Sequence, residues 1–391
     1  MRFDVAPFRA RRGMEKLLEA LGEGQVRFVG GAVRDSLLGL KVADIDVATP
    51  HAPQEVVRRL EAASIKAVPT GIDHGTITAV TSGTVVEVTT LRSDVSTDGR
   101  RATVAFTDDW QEDAARRDFT INALYADPVS GEIFDYFGGL ADLETRTVRF
   151  IGDPLQRIAE DHLRILRFFR FHARFGHDAP DAAGLAACTQ RANDLMALSR
   201  ERIADELLKL LALPSPVSTI ETMIAHGIFK PVLPEIADAQ ALAALLAFEH
   251  QTILEPSALR RLAALIPSDV EVGRDIAARL KFSKAQRVHL AKILVPAEGP
   301  ASTMAYRDGK EAAMDRIALT PAWDGDRKAA VAELESWDIP TLPIKGGDLI
   351  AKGITQGPDV ARTLKAIEED WIASNFPDGP EFDALVARHL G

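Results

Sequence analysis

The 391-residue chain has a single cysteine, Cys188, so no internal disulfide can form. Cys188 sits in an alanine-rich helical stretch and reads as inert core. No run of about 18 apolar residues occurs, so no membrane span is expected. The opening MRFDVAPFRARRG is basic but has no apolar stretch behind it, so a secretory leader is not expected and the cytoplasm is the default compartment. Positive charge is in deficit: 46 Lys and Arg against 57 Asp and Glu, for a net charge of −11. An acidic chain repels polyanions, so any nucleic-acid surface must be a local basic patch. No repeat of 20–50 residues and no low-complexity tract is evident.

What is present divides in two. A short helix is expected near 13–21. Residues 25–150 then read as mixed α/β: QVRFVG and DIDVAT as strands around a helical GAVRDSLLG, APQEVVRRLEAAS as a helix, and TITAV and TVVEVTTLR as strands joined by Ser82-Gly83. SDVSTDGRRATVAF is polar and turn-rich and reads as a mobile loop, with a plain hairpin tip as the alternative. From about Pro154 strand signals nearly vanish and helical periodicity runs to the end, punctuated by prolines. The expected divisions are 1–150, 151–235 and 236–391.

Strand side chains alternate, so Asp44 and Asp46 of DIDVAT point the same way. Two carboxylates on one face repel unless a cation lies between them. Mg²⁺ suits the site, being hard and usually held by one or two carboxylates plus substrate phosphates. Glu87, in TVVEVTT, is a candidate third acid, with an exposed strand residue as the alternative. Upstream, Gly30-Gly31 makes a strand-to-helix turn without Cβ atoms. Its backbone N–H groups can approach a phosphate, and Arg34 lies one turn further on.

Two more stretches carry arginine. In ARRDFTINALYAD, Arg116-Arg117 precede what reads as the start of a helix, an end where the dipole is already positive. In AEDHLRILRFFRFHARFG, read as one helix over 159–176, Asp161, Arg164, Arg167 and Arg170 recur every three residues. Arg164, Arg167, Arg170 and Arg174 take one side, with Phe171 and Leu163 among them. Only Glu160 and Asp161 balance five arginines, counting Arg157 just before the stretch, so a compensating anion is expected, and a triphosphate would serve.

GGAVRD followed by DIDVAT resembles the nucleotidyltransferase superfamily signature, and more closely the class II tRNA nucleotidyltransferases (CCA-adding enzymes) and the related bacterial poly(A) polymerases. The resemblance implies a polymerase-beta-like mixed-sheet head followed by helical neck, body and tail. It implies Mg²⁺ on Asp44 and Asp46, with CTP, ATP and tRNA as substrates, and no obligatory protein partner is evident. RRDFT-x-NAL matches the motif that touches sugar and triphosphate, which puts Arg117 on phosphate and Asp118 on ribose. Glu160-Asp161-x-x-Arg164 matches the base-reading motif, beside Arg167 and Arg170. A carboxylate only accepts hydrogen bonds and a guanidinium only donates. Asp161 can accept from the amino group of cytosine or adenine while Arg164 donates to the neighbouring ring nitrogen. Uracil and guanine present the reverse and are rejected at both points.

SDVSTDGRRATVAFTDDW, with Gly99 and Arg100-Arg101, resembles the loop that switches such enzymes between C and A addition. ALSRERIADELLKLLALP and MIAHGIFKPVLPEI resemble neck helices, with Ser199 as N-cap. Lys345 and Lys352 in the tail are candidates for RNA contact or for a helix-capping loop. No appended HD-type phosphohydrolase signature is found. CCA addition to tRNA is the expected activity. The alternatives are poly(A) synthesis, CC-only or A-only addition, and a noncatalytic RNA-binding protein.

Overall fold

A computed structural model of the chain describes residues 3–98, 101–354 and 357–390, without the side chains of 94–98 and 101–104. Gly99 and Arg100 of the expected switching loop, and the Arg101 side chain, lie outside the described residues. The chain forms two compact units, Met1–Leu210 with Thr222–Val232, and Leu211–Glu221 with Leu233–Gly391. Among the described residues no helix is long and apolar enough to cross a membrane.

The first unit is built on a seven-stranded mixed sheet. Its strands are β1 (Arg27–Val29), β2 (Ile45–Thr49), β3 (Lys66–Gly71), β4 (Thr76–Thr81), β5 (Thr84–Thr90), β8 (Leu124–Ala126) and β9 (Ile133–Asp135). They run β3-β4-β5-β2-β1-β8-β9, and β6 (Arg92–Asp98) with β7 (Arg101–Phe106) forms a separate antiparallel ribbon. The expected mobile loop is therefore largely this ribbon, nearer to the hairpin alternative. Strand β3 escaped detection because KAVPTG has no two-residue alternation and contains Pro69. It lies at the sheet edge, where a missing N–H is tolerated.

Within the sheet only β2 and β5 pair in parallel. Their buried face is Ile45, Val47, Val86 and Val88, each at most 1% exposed. Burial of that face sets the register, because a one-residue slip would turn every valine outward.

The expected single helix over 159–176 is two helices, Pro154–Glu160 and Arg164–Phe175. Asp161 between them is extended, with φ −150° and ψ 106°. The second helix buries Ile165, Leu166, Phe168, Phe169, Phe171 and Phe175. Phe168 stacks on Phe150 at 5.4 Å and Phe171 lies 5.1 Å from Phe119. Phe171 is thus not a blemish on a cationic face but one of the contacts that dock the helix.

The second unit is helical. Its main core gathers Leu245, Phe248, Met304, Ala313, Ile317 and Val331, and a further cluster in the tail surrounds Trp371. A buried ionic network ties it together. Arg260 donates to Glu249 at 2.6 Å and to Asp315 at 2.7 Å, and Arg261 donates to Glu249 at 2.8 Å and to the Leu211 and Leu213 carbonyls at 2.6 Å each. Two guanidiniums balance two carboxylates. Glu249→Ala leaves two buried guanidiniums with one carboxylate between them and is expected to cost about 3–5 kcal/mol. Urea unfolding of the purified variant against wild type measures it, and a loss under about 1 kcal/mol contradicts the network's structural role.

Candidate active site

The parallel register places Asp46 directly beside Glu87 across β2 and β5. Burial first, then the Glu87 charge and more weakly Asp44, push the Asp46 carboxyl up to about 6, while Arg117 opposes them. Asp44 sits one residue before the strand and is exposed, rather than lying within β2 as the alternation implied. Asp46 is half-buried and Glu87 is exposed on its face. Three carboxylates thus act on one another at the end of one parallel seam.

Gly30 has φ +65°, and a Cβ there would stand 3.3 Å from Arg117 Nη1. A side chain there is strained by the positive φ and crowds the Arg117 guanidinium. The helix Gly31–Leu37 follows. Arg34 on it is only 6% exposed, donates to Asp35 at 2.8 Å and to Asn122, and lies 4.1 Å over the Phe175 ring. Burial lowers its affinity for the proton. Its Nη2 stands 3.5 Å from where a Gly31 Cβ would lie.

Arg116 and Arg117 follow the helix Trp110–Ala115 instead of starting one. The expected dipole conflict is thus reversed, because a helix C-terminus favours cations. Both pair with buried Asp113, Arg116 at 2.7 Å and Arg117 at 3.2 Å. Burial alone would raise Asp113, but Arg117 and Arg116 with the Tyr125 hydroxyl outweigh it and hold the carboxyl at about 2. Asp118, also buried, accepts from Arg167 at 2.5 Å and from Asn122 Nδ2 at 2.9 Å.

Asp161 Oδ1 accepts the Leu163 N–H at 3.1 Å, and Oδ2 accepts from Arg202 at 2.8 Å. Arg164 donates through Nη1 to Glu160 at 2.6 Å and to the Arg157 carbonyl at 2.8 Å, and through Nη2 to the Arg116 carbonyl at 3.1 Å. Of a guanidinium's five N–H donors, Nε–H and one on Nη2 are left for a ligand. Arg170 pairs with Glu206 at 2.5 Å and Arg174 with Asp35 at 3.2 Å. The arginine row therefore has its compensating anions in the protein: Glu160, Asp118, Glu206 and Asp35. The need for an external anion inferred from the sequence is not borne out. Guanidiniums of Arg34, Arg167 and Arg170 also lie 5.3, 5.2 and 4.7 Å from the Phe171 ring centre.

Sequence inspection missed Asp113, Asn122, Arg202 and Glu206, and saw Phe171 among the arginines without its docking role. Glu206 carried a signal: it falls on the apolar stripe Ile203, Leu207, Leu210, where an unpaired carboxylate would not be buried.

A mixed sheet with carboxylates gathered on a parallel seam, beside a strand-to-helix glycine turn and a row of braced arginines, defines a nucleotidyltransferase head. Residues 26–149 match the family described as poly A polymerase head domain, and residues 181–240 the one described as "Probable RNA and SrmB- binding site of polymerase A". The mouse (Mus musculus) CCA tRNA nucleotidyltransferase 1, mitochondrial, is 35% identical over 383 residues, spanning 93% of this chain and 87% of that protein. A CCA-adding enzyme of Levilactobacillus brevis is 33% identical over 401 residues, 97% of each chain. The Bacillus stearothermophilus CCA-adding enzyme in complex with CTP superposes with a TM-score of 0.78 at 28% identity, covering 98% of both chains. A Thermotoga maritima CCA-adding enzyme complexed with tRNA shares the fold, with a TM-score of 0.66 at 21% identity. The chain belongs to the CCA-adding tRNA nucleotidyltransferase family and is a nucleotidyltransferase.

A carboxylate whose folded pKa is raised favours folding least when ionised. Asp46 therefore withdraws stability as pH rises from 3.8 through about 6, and the cost is complete above that. Without divalent cations, Asp46→Asn is expected to gain on the order of 2 kcal/mol at pH 8, a gain that disappears near pH 4. Urea unfolding at the two pH values measures it. A destabilised variant at pH 8 contradicts the crowding of charge described here.

Proposed function

We propose that this chain builds the CCA end of tRNA, adding CMP and AMP from CTP and ATP without a nucleic-acid template. The observation that carries the proposal is the pairing of Asp46 with Glu87 in register, with Asp44 beside them, at the head's phosphate-binding turn. The names of the relatives support it.

The carboxylate set fits Mg²⁺. Oxygen donors crowd together, and burial first, then the Glu87 and Asp44 charges, drive Asp46 towards protonation, which a divalent cation relieves. Among the described residues no three His, Cys, Asp or Glu side chains form a ready-made metal cage. Mg²⁺ commonly needs only one or two carboxylates, completing its shell with water and substrate phosphates. Asp44 and Asp46 would hold it, with Glu87 as neighbour. When bound, it supplies charge neutralisation for the triphosphate and acidifies the attacking hydroxyl.

The tRNA 3′-hydroxyl gives up its proton, with Glu87 as the neighbouring acceptor, its oxygen bonds to the α-phosphorus of CTP or ATP, the bond from that phosphorus to the α–β bridging oxygen breaks, and pyrophosphate leaves with that oxygen. Gly31 offers its backbone N–H at the helix start, and Arg34 and Arg117 line the same turn. Asp118, fixed by Arg167 and Asn122, is placed for the ribose. Asp161 accepts from the base amino group, Arg164 donates to the adjacent ring nitrogen, and Arg167 and Arg170 hold the face behind them. For an acidic chain, the RNA backbone needs a local cationic surface. A groove in the second unit, lined by Arg274, Lys284, Arg287 and Lys292 together with Asp308, is one such surface. The single buried cysteine is consistent with the cytoplasm as compartment, although the mouse relative carries a mitochondrial name.

The test is a tRNA ending at its discriminator base, incubated with Mg²⁺ and CTP, ATP or both. Extension that stops after CCA is expected, and Asp46→Ala should abolish it. A long A tail would assign the chain to poly(A) synthesis, a stop after CC to partial addition, and no extension would contradict the proposal.

A further inference from the structure

Tyr125 is fully buried in strand β8, and its ring meets Trp110 and Tyr136 edge-on at 5.6 and 6.2 Å. Packing alone would be served by phenylalanine, so the hydroxyl needs a separate reason. It donates to Asp113 Oδ2 at 2.6 Å and accepts from Arg117 Nε at 3.2 Å. Burial first raises the phenol's pKa, Asp113 adds to it, and together they outweigh Arg117. The group therefore stays an O–H donor.

The two oxygens of Asp113 have different partners. Oδ1 accepts from Arg116 at 2.7 and 2.9 Å and from the Arg92 backbone N–H at 3.2 Å. Oδ2 is left to the Tyr125 hydroxyl and to Arg117 Nη2, 3.2 Å away. Arg117 is thus gripped along one edge, Nε by the phenol oxygen and Nη2 by the carboxylate. Its Nη1 makes one long contact, 3.5 Å to the Asn122 carbonyl, and stands 3.3 Å from where a Gly30 Cβ would lie. Three of the five guanidinium donors are engaged. The other two, one on each terminal nitrogen, form the end of the fork, the geometry that takes phosphate oxygens in pairs.

Asp113 cannot hold this orientation unaided. With Oδ2 as its only grip, the guanidinium would be free to turn about that bond. It would then offer Nε and Nη2 together to the carboxylate, the side-on pair that the phenol now interrupts. That movement carries the fork away from the glycine turn.

We propose that Tyr125 is a positioning residue for the triphosphate: its hydroxyl, bridging Asp113 and Arg117, keeps the Arg117 fork directed at the Gly30-Gly31 turn. This deepens the reading given above and rests on its assignment of Arg117 to phosphate.

Equilibrium dialysis of CTP and ATP with the whole chain, Mg²⁺ and no RNA tests it, alongside addition kinetics. Tyr125→Phe deletes the hydroxyl and keeps the ring. The Kd of both nucleotides is expected to rise together, on the order of ten-fold, with the number of sites per chain unchanged. The preference in kcat/KM for CTP over UTP should stay at its wild-type value, because the base is met by other residues. In an Arg117→Lys background, which keeps the charge and loses the fork, Tyr125→Phe should weaken binding no further. A purely structural role would lower the number of sites and kcat while leaving Kd at the wild-type value, and that result overturns the proposal. A rise confined to one nucleotide also overturns it. If Arg117→Lys raises Kd while Tyr125→Phe does not, the positioning role falls and the assignment of Arg117 to phosphate stands. If Arg117→Lys itself leaves Kd unchanged, both fall.

Discussion

Parallel pairing of β2 with β5 is the constraint on which the site depends. The valines and isoleucine of the buried face set that register, and the register in turn puts Asp46 against Glu87 on the opposite face. No rearrangement of side chains alone can separate the two acids while the hydrophobic face stays covered. The energy of core burial is thus used to hold like charges together, and the result is a carboxyl poised near pH 6 at the mouth of a glycine turn. Such a group is unfavourable in the empty protein and becomes favourable when a divalent cation and a triphosphate share the site.

The arginine helix follows the opposite logic. Its cations are held by Glu160, Asp118, Glu206 and Asp35 and rest on the rings of Phe171 and Phe175. The guanidiniums are therefore preorganised before any nucleotide arrives, and little reorganisation accompanies binding. Asp118 shows how one group serves both ends: Arg167 and Asn122 hold it ionised despite its burial. The break at Asp161 gives the acid proposed to read the base a position that no continuous helix would offer.

Much of this was legible in the sequence, and the failures have physical causes. The strand alternation of DIDVAT and TVVEVTT revealed the acids, because period-two patterns survive in half-buried strands. Their adjacency was not legible, since it depends on a long-range register between residues 46 and 87. The arginine spacing revealed the cationic row but not its partners, for Asp35, Asp118 and Glu206 lie 139, 49 and 36 residues from Arg174, Arg167 and Arg170. The burial of Phe171 was misjudged because tertiary docking on Phe119 overrode the simple helical wheel, and the break at Asp161 was missed because its side chain takes the Leu163 N–H locally. Arg116-Arg117 misled because the preceding helix, ending at Ala115, was not recognised.

The crowded acids Asp44, Asp46 and Glu87 are proposed to hold a divalent cation. Titration of the protein with Mn²⁺ in the presence of CTP, followed by loss of the free-ion paramagnetic resonance signal, tests it without reference to turnover. The wild-type chain is predicted to take up the ion and Asp46→Asn to lose that uptake. Equal uptake by both proteins would contradict the claim.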